Sequence, residues 1–132
     1  MFSRRRDVPP RIREAVTAFL WTVELVEEGK EALLLASPTG RRPGAPLASS
    51  LAAFESALSR ASDSMPAWRI PEMEEHWVLC STALGESSQR AEHLRLEANP
   101  EGYEQLYGLL ADLMSPLEAF AAALERFRGL GL

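Results

Sequence analysis

The chain has 132 residues, of which 46% are hydrophobic and 25% charged, with a formal net charge of −5 at pH 7. This length suits one domain that buries roughly two thirds of its unfolded surface, so no metal or disulfide staple is needed, and a single cysteine excludes a disulfide within the chain. The acidic balance argues against a nucleic-acid-binding protein, and a reducing cytoplasmic location is the simplest expectation.

Residues 1–8 are predicted to form a flexible basic arm. The start SRRRDV looks like a twin-arginine export signal, but PPRIRE follows in place of an apolar run, so we expect no export. Basic arms can bind phosphate backbones, but no basic helix face or interleaved aromatic residue accompanies these arginines. We therefore expect a solvated tail or an arm bound to an acidic partner surface.

The first predicted helix runs from the prolines at positions 9 and 10 to about Ala36. A proline in the first turn suits a helix start because its missing N–H would have no partner there. Apolar residues then recur at steps of three and four, which predicts one buried face. They are Ile12, Ala15, Val16, Phe19, Val23, Val26, Leu33 and Leu34.

A second apolar stripe is predicted to project from the same helix. Its members are Ala18, Trp21, Leu25 and Ala32, with Leu35 nearby. Isolated apolar residues on a surface are ordinary, but several at helical spacing favour a contact. The stripe could meet the connection around Trp68, or the same stripe of a second copy in a two-fold dimer.

Residues 37–46, SPTGRRPGAP, are predicted to be a loop because proline and glycine are dense and no apolar repeat is present. A shorter second helix follows, with apolar residues from Leu47 to Ala61. The connection SDSMPAWRIP, residues 62–71, breaks it. Met65, Trp68 and Ile70 predict that this connection packs onto the bundle.

The third predicted helix runs from about Pro71 or Glu72 to Ala98, and one of its faces includes several small residues. Steps of 100° per residue place nine side chains on that face. They are Met73, His76, Trp77, Cys80, Ala83, Leu84, Ser87, Ala91 and Leu94.

A fourth helix is predicted from Asn99 and Pro100, which supply a cap and a first-turn proline. Pro116 should kink this helix between Asp112 and Pro116, and residues 129–132 should fray. The helix carries the most regular apolar stripe of the chain. Its members are Tyr103, Leu106, Leu110, Leu113, Leu117, Phe120, Leu124 and Phe127.

Four amphipathic helices without strand-like alternation predict a single all-α domain, an irregular antiparallel, up-down four-helix bundle. The second helix is short and the fourth is kinked. The periodic pattern predicts no run long and apolar enough to span a membrane, so we expect no membrane contact.

Potentially reactive side chains lie in the third helix, where Glu72, His76 and Cys80 follow at four-residue steps. Each is a zinc ligand type, but three in a row on one helix cannot close around an ion, and His93 points away. His76 could activate Cys80 as a nucleophile, yet a core-facing position in mid-helix leaves no loop to stabilise an oxyanion. We predict no catalytic residue, no metal and no cofactor.

The small residues of the third helix have two interpretations. The first is close packing against the bulky stripe of the fourth helix. The second is a pocket for a small apolar ligand, if the facing aromatic residues leave space. The residues that would line this pocket are His76, Trp77, Cys80, Ser87, Tyr103 and Tyr107.

The leading prediction for function is a non-catalytic interaction or regulatory module. It would bind a protein partner, most simply as a homodimer through Ala18, Trp21, Leu25 and Ala32 of the first helix. The alternative is a small-molecule-binding bundle, or less readily a small enzyme or metal site, that uses the pocket beside the third helix.

Overall fold

The computed structural model describes residues 8–37, 44–97 and 103–130, and these residues form an all-α four-helix bundle without strands. The helices are α1 (Pro10–Leu34), α2 (Leu47–Ser64), α3 (Glu74–Glu97) and a fourth helix divided into α4 (Tyr103–Met114) and α5 (Glu118–Phe127). Short 3-10 turns accompany these helices in the described ranges, at Met65–Trp68, Pro71–Met73, Ser115–Leu117 and Arg128–Leu130.

Contacts between α1 and α2 show that the two helices run antiparallel. Thr22 lies against Ser64 near the end of α2, and Glu28 pairs with Arg60 one turn earlier. The helices approach closely at Gly29, where an added Cβ would lie 3.2 Å from the Cβ of Ala57. A larger residue here would therefore push the two helices apart by a few tenths of an ångström, and glycine permits the close approach.

The other neighbouring helices are also antiparallel. Glu55 of α2 pairs with Arg95 near the end of α3. The early part of α3 lies beside α5, and its later part lies beside the end of α4. The predicted up-down arrangement is confirmed.

The connection between α2 and α3 is packed into the core, as predicted. Trp68 is fully buried, with its ring centroid 4.9 Å from that of Phe19 in an edge-to-face arrangement. Phe127 at the end of α5 completes the cluster, 4.8 Å from Phe19. Three segments far apart in sequence therefore meet at one end of the bundle, and Met65 is buried beside them.

The predicted kink in the fourth helix is confirmed. Pro116 cannot donate to the carbonyl of Asp112, four residues earlier, and the chain forms the 3-10 turn Ser115–Leu117 before α5 begins. α5 packs closely on α3, whereas α4 makes fewer contacts with the rest of the bundle.

The structure also differs from several boundaries predicted from the sequence. α2 extends to Ser64, although it remains shorter than α1 and α3. At the chain ends, Val8 and Leu130 pack against the core, so neither belongs to a loose tail. The rest of the basic arm, the middle of the 37–46 loop, the Asn99–Pro100 cap and residues 131–132 lie outside the described residues.

Within the described residues, one segment reaches the length and apolar content of a membrane span, Gln105–Leu130, with a mean hydropathy of 1.2. This differs from the prediction that no run of the sequence is long and apolar enough to span a membrane. A core helix of a soluble bundle passes the same test, so this property does not separate a membrane helix from a bundle helix.

Candidate functional site

The small side chains of α3 are the first candidate site, and the structure buries them. They are Cys80, Ala83, Ser87 and Ala91. The fourth helix comes so close that side chains of α3 reach its backbone carbonyls. Large residues such as Phe120 and Leu117 pack from the facing side. This is the close packing that small residues permit.

Two polar side chains of α3 satisfy the carbonyls that the kink leaves without helical donors. Arg90 Nη1 donates to the Asp112 carbonyl at 2.9 Å, the position at which Pro116 lacks an N–H. Ser87 Oγ donates to the next carbonyl, that of Leu113, at 2.7 Å. Since the last carbonyls of a helix need outside partners, α3 supplies a cap for α4.

Cys80 is placed as a packing residue. Its Sγ lies 3.7 Å from the carbonyl oxygen of Ala119, towards which the thiol points. Burial raises the pKa of the Cys80 thiol to about 12. Because the thiolate is the nucleophile and the metal ligand, this environment opposes both roles.

His76 and Trp77 also have packing partners. The His76 ring stands edge-on to Phe127, with 5.6 Å between centroids, and its buried Nδ1 has no hydrogen-bond partner among the described residues. Trp77 Nε1 donates to the carbonyl of Met65 at 2.8 Å, while the Arg69 guanidinium lies 4.0 Å above the Trp77 ring. Trp77 thereby fixes the start of α3 to the buried connection.

Among the six residues predicted to line a pocket, the described side chains differ in their surroundings. Cys80 and Ser87 are interior and already bonded, whereas Tyr107 is 50% exposed on α4. The side chain of Tyr103 lies outside the described residues. The prediction that Tyr107 encloses an interior pocket with Cys80 and Ser87 is wrong, because half of the Tyr107 surface is open to solvent.

A groove that the sequence analysis missed lies between the later part of α3 and α4. Its volume is about 480 Å³. Leu94 of α3 and Leu109 and Leu113 of α4 form its apolar walls. Its polar lining is Gln89, Arg90, His93 and Asp112. The sequence signal was present in Pro116, because a kinked helix separates from its neighbour on one side of the kink.

A second groove, of about 500 Å³, lies on the other side of α4 towards α1. Lys30 reaches it from α1, and Ala111, Ser115 and Glu118 contribute from the fourth helix. Met114 and Ala111 provide its apolar wall, and Asp112 lines this groove as well.

The second apolar stripe predicted on α1 is largely wrong. Leu25 is only 4% exposed and belongs to the core, because α1 is covered by the buried connection as well as by α2. Ala18 and Ala32 are half-buried. Trp21 alone of the four is open to solvent, with 56% of its surface exposed.

Other apolar residues of α1 accompany Trp21 at the surface. Leu20 lies next to it, and Leu34 and Leu35 are exposed at the end of the helix. At helical spacing these residues occupy the outer side of α1, together with Arg13 and Glu31. We call this set the α1 surface.

Within residues 8–37, 44–97 and 103–130, no three His, Cys, Asp or Glu side chains come together in the manner of a metal site. Three comparisons of the chain, with protein-family models, curated proteins and solved structures, found no match.

Proposed function

We propose that the chain is a non-catalytic interaction module that forms a homodimer through the α1 surface. The observation that carries this proposal is the exposure of Trp21 beside Leu20 in the middle of a 25-residue helix. Tryptophan buries a large area on binding and is enriched among the residues that dominate interface energies. The core-facing Cys80 and Ser87 of α3 do not compete as a site, because each already contacts a backbone carbonyl of the fourth helix.

Self-pairing of α1 agrees with the charges along the helix. In an antiparallel pair with its two-fold axis level with Thr22, residues equally far before and after position 22 face each other. Arg13 then meets Glu31 of the partner subunit. Within the described part of one protomer, neither Arg13 nor Glu31 forms an ion pair.

The ends of the helix are complementary in the same pairing. Leu34 and Leu35, exposed at the end of α1, lie level with the exposed Pro10 and Pro9 at the start of the partner's helix. The Leu20 and Trp21 side chains then flank the axis. Glu24, which is exposed close to the axis, weakens the contact, so we expect dissociation in the micromolar range.

Light scattering coupled to gel filtration tests the proposal between about 1 and 200 µM protein. We expect a concentration-dependent dimer, and we expect Trp21→Glu to be monomeric throughout. Leu79→Glu is the matched control, since Leu79 is 51% exposed on the outer side of α3. A wild-type monomer at the highest concentration, or equal effects of the two variants, would overturn the proposal.

A further inference from the structure

We infer that the groove between α3 and α4 binds a small zwitterion with an apolar side chain, which is the chemistry of a free apolar α-amino acid. This site is separate from the α1 surface, and it does not depend on the dimer. Its polar and apolar parts each restrict the ligand.

The apolar walls come from both helices. Leu94 on α3 and Leu109 on α4 are partly buried, and Leu113 is buried at the base. The volume of about 480 Å³ lies within the range of small-molecule sites. An aromatic or branched aliphatic side chain therefore fits between the leucines.

The charges at the groove select a zwitterion. Arg90 and Asp112 both line it, yet the guanidinium bonds to the backbone carbonyl of Asp112 and forms no ion pair with any carboxylate of the described residues. A simple anion would be attracted by Arg90 but repelled by Asp112. A simple cation would be attracted by Asp112 but repelled by Arg90. A carboxylate and an ammonium on one carbon satisfy both groups.

The guanidinium is already oriented for this role. Its hydrogen bond to Asp112, at 2.9 Å, occupies one of five N–H donors and holds Arg90 across the opening at the kink. The remaining N–H donors can form two parallel hydrogen bonds to the two oxygens of one carboxylate, which is a frequent geometry of arginine–carboxylate pairs. Less side-chain freedom is then lost when ligand binds.

The test is a chemical-shift titration of ¹⁵N-labelled full-length protein with three probes. L-phenylalanine carries both charges, N-acetyl-L-phenylalanine lacks the ammonium, and L-phenylalaninamide lacks the carboxylate. We expect saturable shifts at amides of residues 89–94 and 109–113. Each singly charged probe should bind about fivefold more weakly than phenylalanine, since the charges are exposed and partly screened.

Variants assign each charge to its partner. Arg90→Gln should remove the preference for phenylalanine over its amide, while Asp112→Asn should remove the preference over the N-acetyl form. Arg126→Gln and Asp63→Asn are the matched controls, because both residues are exposed and lie outside the groove. Neither control should change any of the three affinities.

Arg90 also caps α4, so Arg90→Gln changes the cap as well as the charge. Arg90→Lys keeps the positive charge and a hydrogen-bond donor, and it should retain the preference for phenylalanine over its amide. Leu109→Gln, on the opposite wall, should weaken all three probes equally. Absence of shifts at the groove, equal binding of the three probes to wild-type protein, or the same loss for every probe in Asp112→Asn would overturn the inference.

Discussion

The hydroxyl of Ser87 donates a 2.7 Å hydrogen bond to the carbonyl oxygen of Leu113, joining the middle of α3 to the last turn of α4. Both groups are buried, so neither has water as a substitute partner. Together with Arg90, this contact explains how the bundle tolerates a proline within its fourth helix. The polar Ser87 therefore occupies a core-facing position because its hydroxyl is the hydrogen-bond partner of a backbone carbonyl in the neighbouring helix.

Ser87→Ala should lower the free energy of unfolding by about 1–2 kcal/mol, because the buried Leu113 carbonyl would lose its partner. Urea unfolding followed by circular dichroism measures the change. Ser88→Ala, one residue along the same helix and only half-buried, is the control and should be nearly neutral. Equal losses in the two variants would contradict the capping role.

Arg90 and Pro116 should be energetically coupled. In wild-type protein, Arg90→Gln removes the donor to the Asp112 carbonyl and should cost about 1 kcal/mol. In a Pro116→Ala background the backbone N–H at position 116 can take over that carbonyl, so the same substitution should cost close to nothing. A double-mutant cycle from urea unfolding measures this difference, and simple additivity would argue against it.

Thr22 should be important for the packing of the buried connection. Its Oγ1 accepts a 3.1 Å hydrogen bond from Trp68 Nε1 and lies 2.5 Å from Ser64 Oγ. Thr22→Val keeps the shape but leaves the indole donor unpaired, with an expected loss of about 1–3 kcal/mol. Thr17→Val, exposed on the same helix, should change the thermal midpoint far less.

Cys80 should make the fold sensitive to alkaline pH. Burial raises the pKa of its thiol from an ordinary value of 9.0 to about 12, so folding favours the protonated form. This contribution to stability is fully present below pH 9 and is lost as the pH rises from 9 towards 12. We expect the urea midpoint of wild-type protein to fall more steeply over this range than that of Cys80→Ala.

The same burial predicts slow alkylation of Cys80. At pH 8 the native thiol should react with iodoacetamide at a small fraction of the rate seen in urea, because the thiolate is scarce and the sulfur inaccessible. Mass spectrometry of timed samples measures both rates. Rapid modification of the native protein would show that α3 opens in this region.

A charge exchange tests the geometry of the proposed dimer. Arg13→Glu should weaken dimerisation because it would face Glu31 of the partner subunit. Adding Glu31→Arg to the same chain should restore dimerisation, since the opposite charges are again paired in an antiparallel arrangement. Analytical ultracentrifugation measures both variants, and a double variant as weak as Arg13→Glu would exclude this register.

Much of the fold follows from local sequence rules. The three- and four-residue spacing of apolar side chains predicted four helices, and Pro116 predicted the break between α4 and α5. The packing of Trp68 against the bundle was also predicted from its apolar surroundings. These features depend on residues near one another in the chain, which is why periodicity and proline geometry were sufficient.

The candidate sites could not be predicted in the same way. Leu25 and Trp21 belong to the same predicted stripe of α1. The connection between α2 and α3 covers Leu25 but leaves Trp21 exposed. Tyr107 lies next to Leu106 of the apolar stripe of α4, but half of its surface is open to solvent. In each case the decisive neighbour is distant in sequence.

The sequence by itself determined the helices, the kink and the small-residue face of α3, because these depend on side-chain spacing and backbone chemistry. Tertiary structure decided the role of each polar group on that face. Ser87 is a cap because the carbonyl oxygen of Leu113, in the last turn of α4, lies 2.7 Å from its hydroxyl, and Arg90 lines a groove because it lies where α3 and α4 face each other. Hydrogen bonds and openings depend on the distances between helices, and those distances are fixed only when the whole bundle packs.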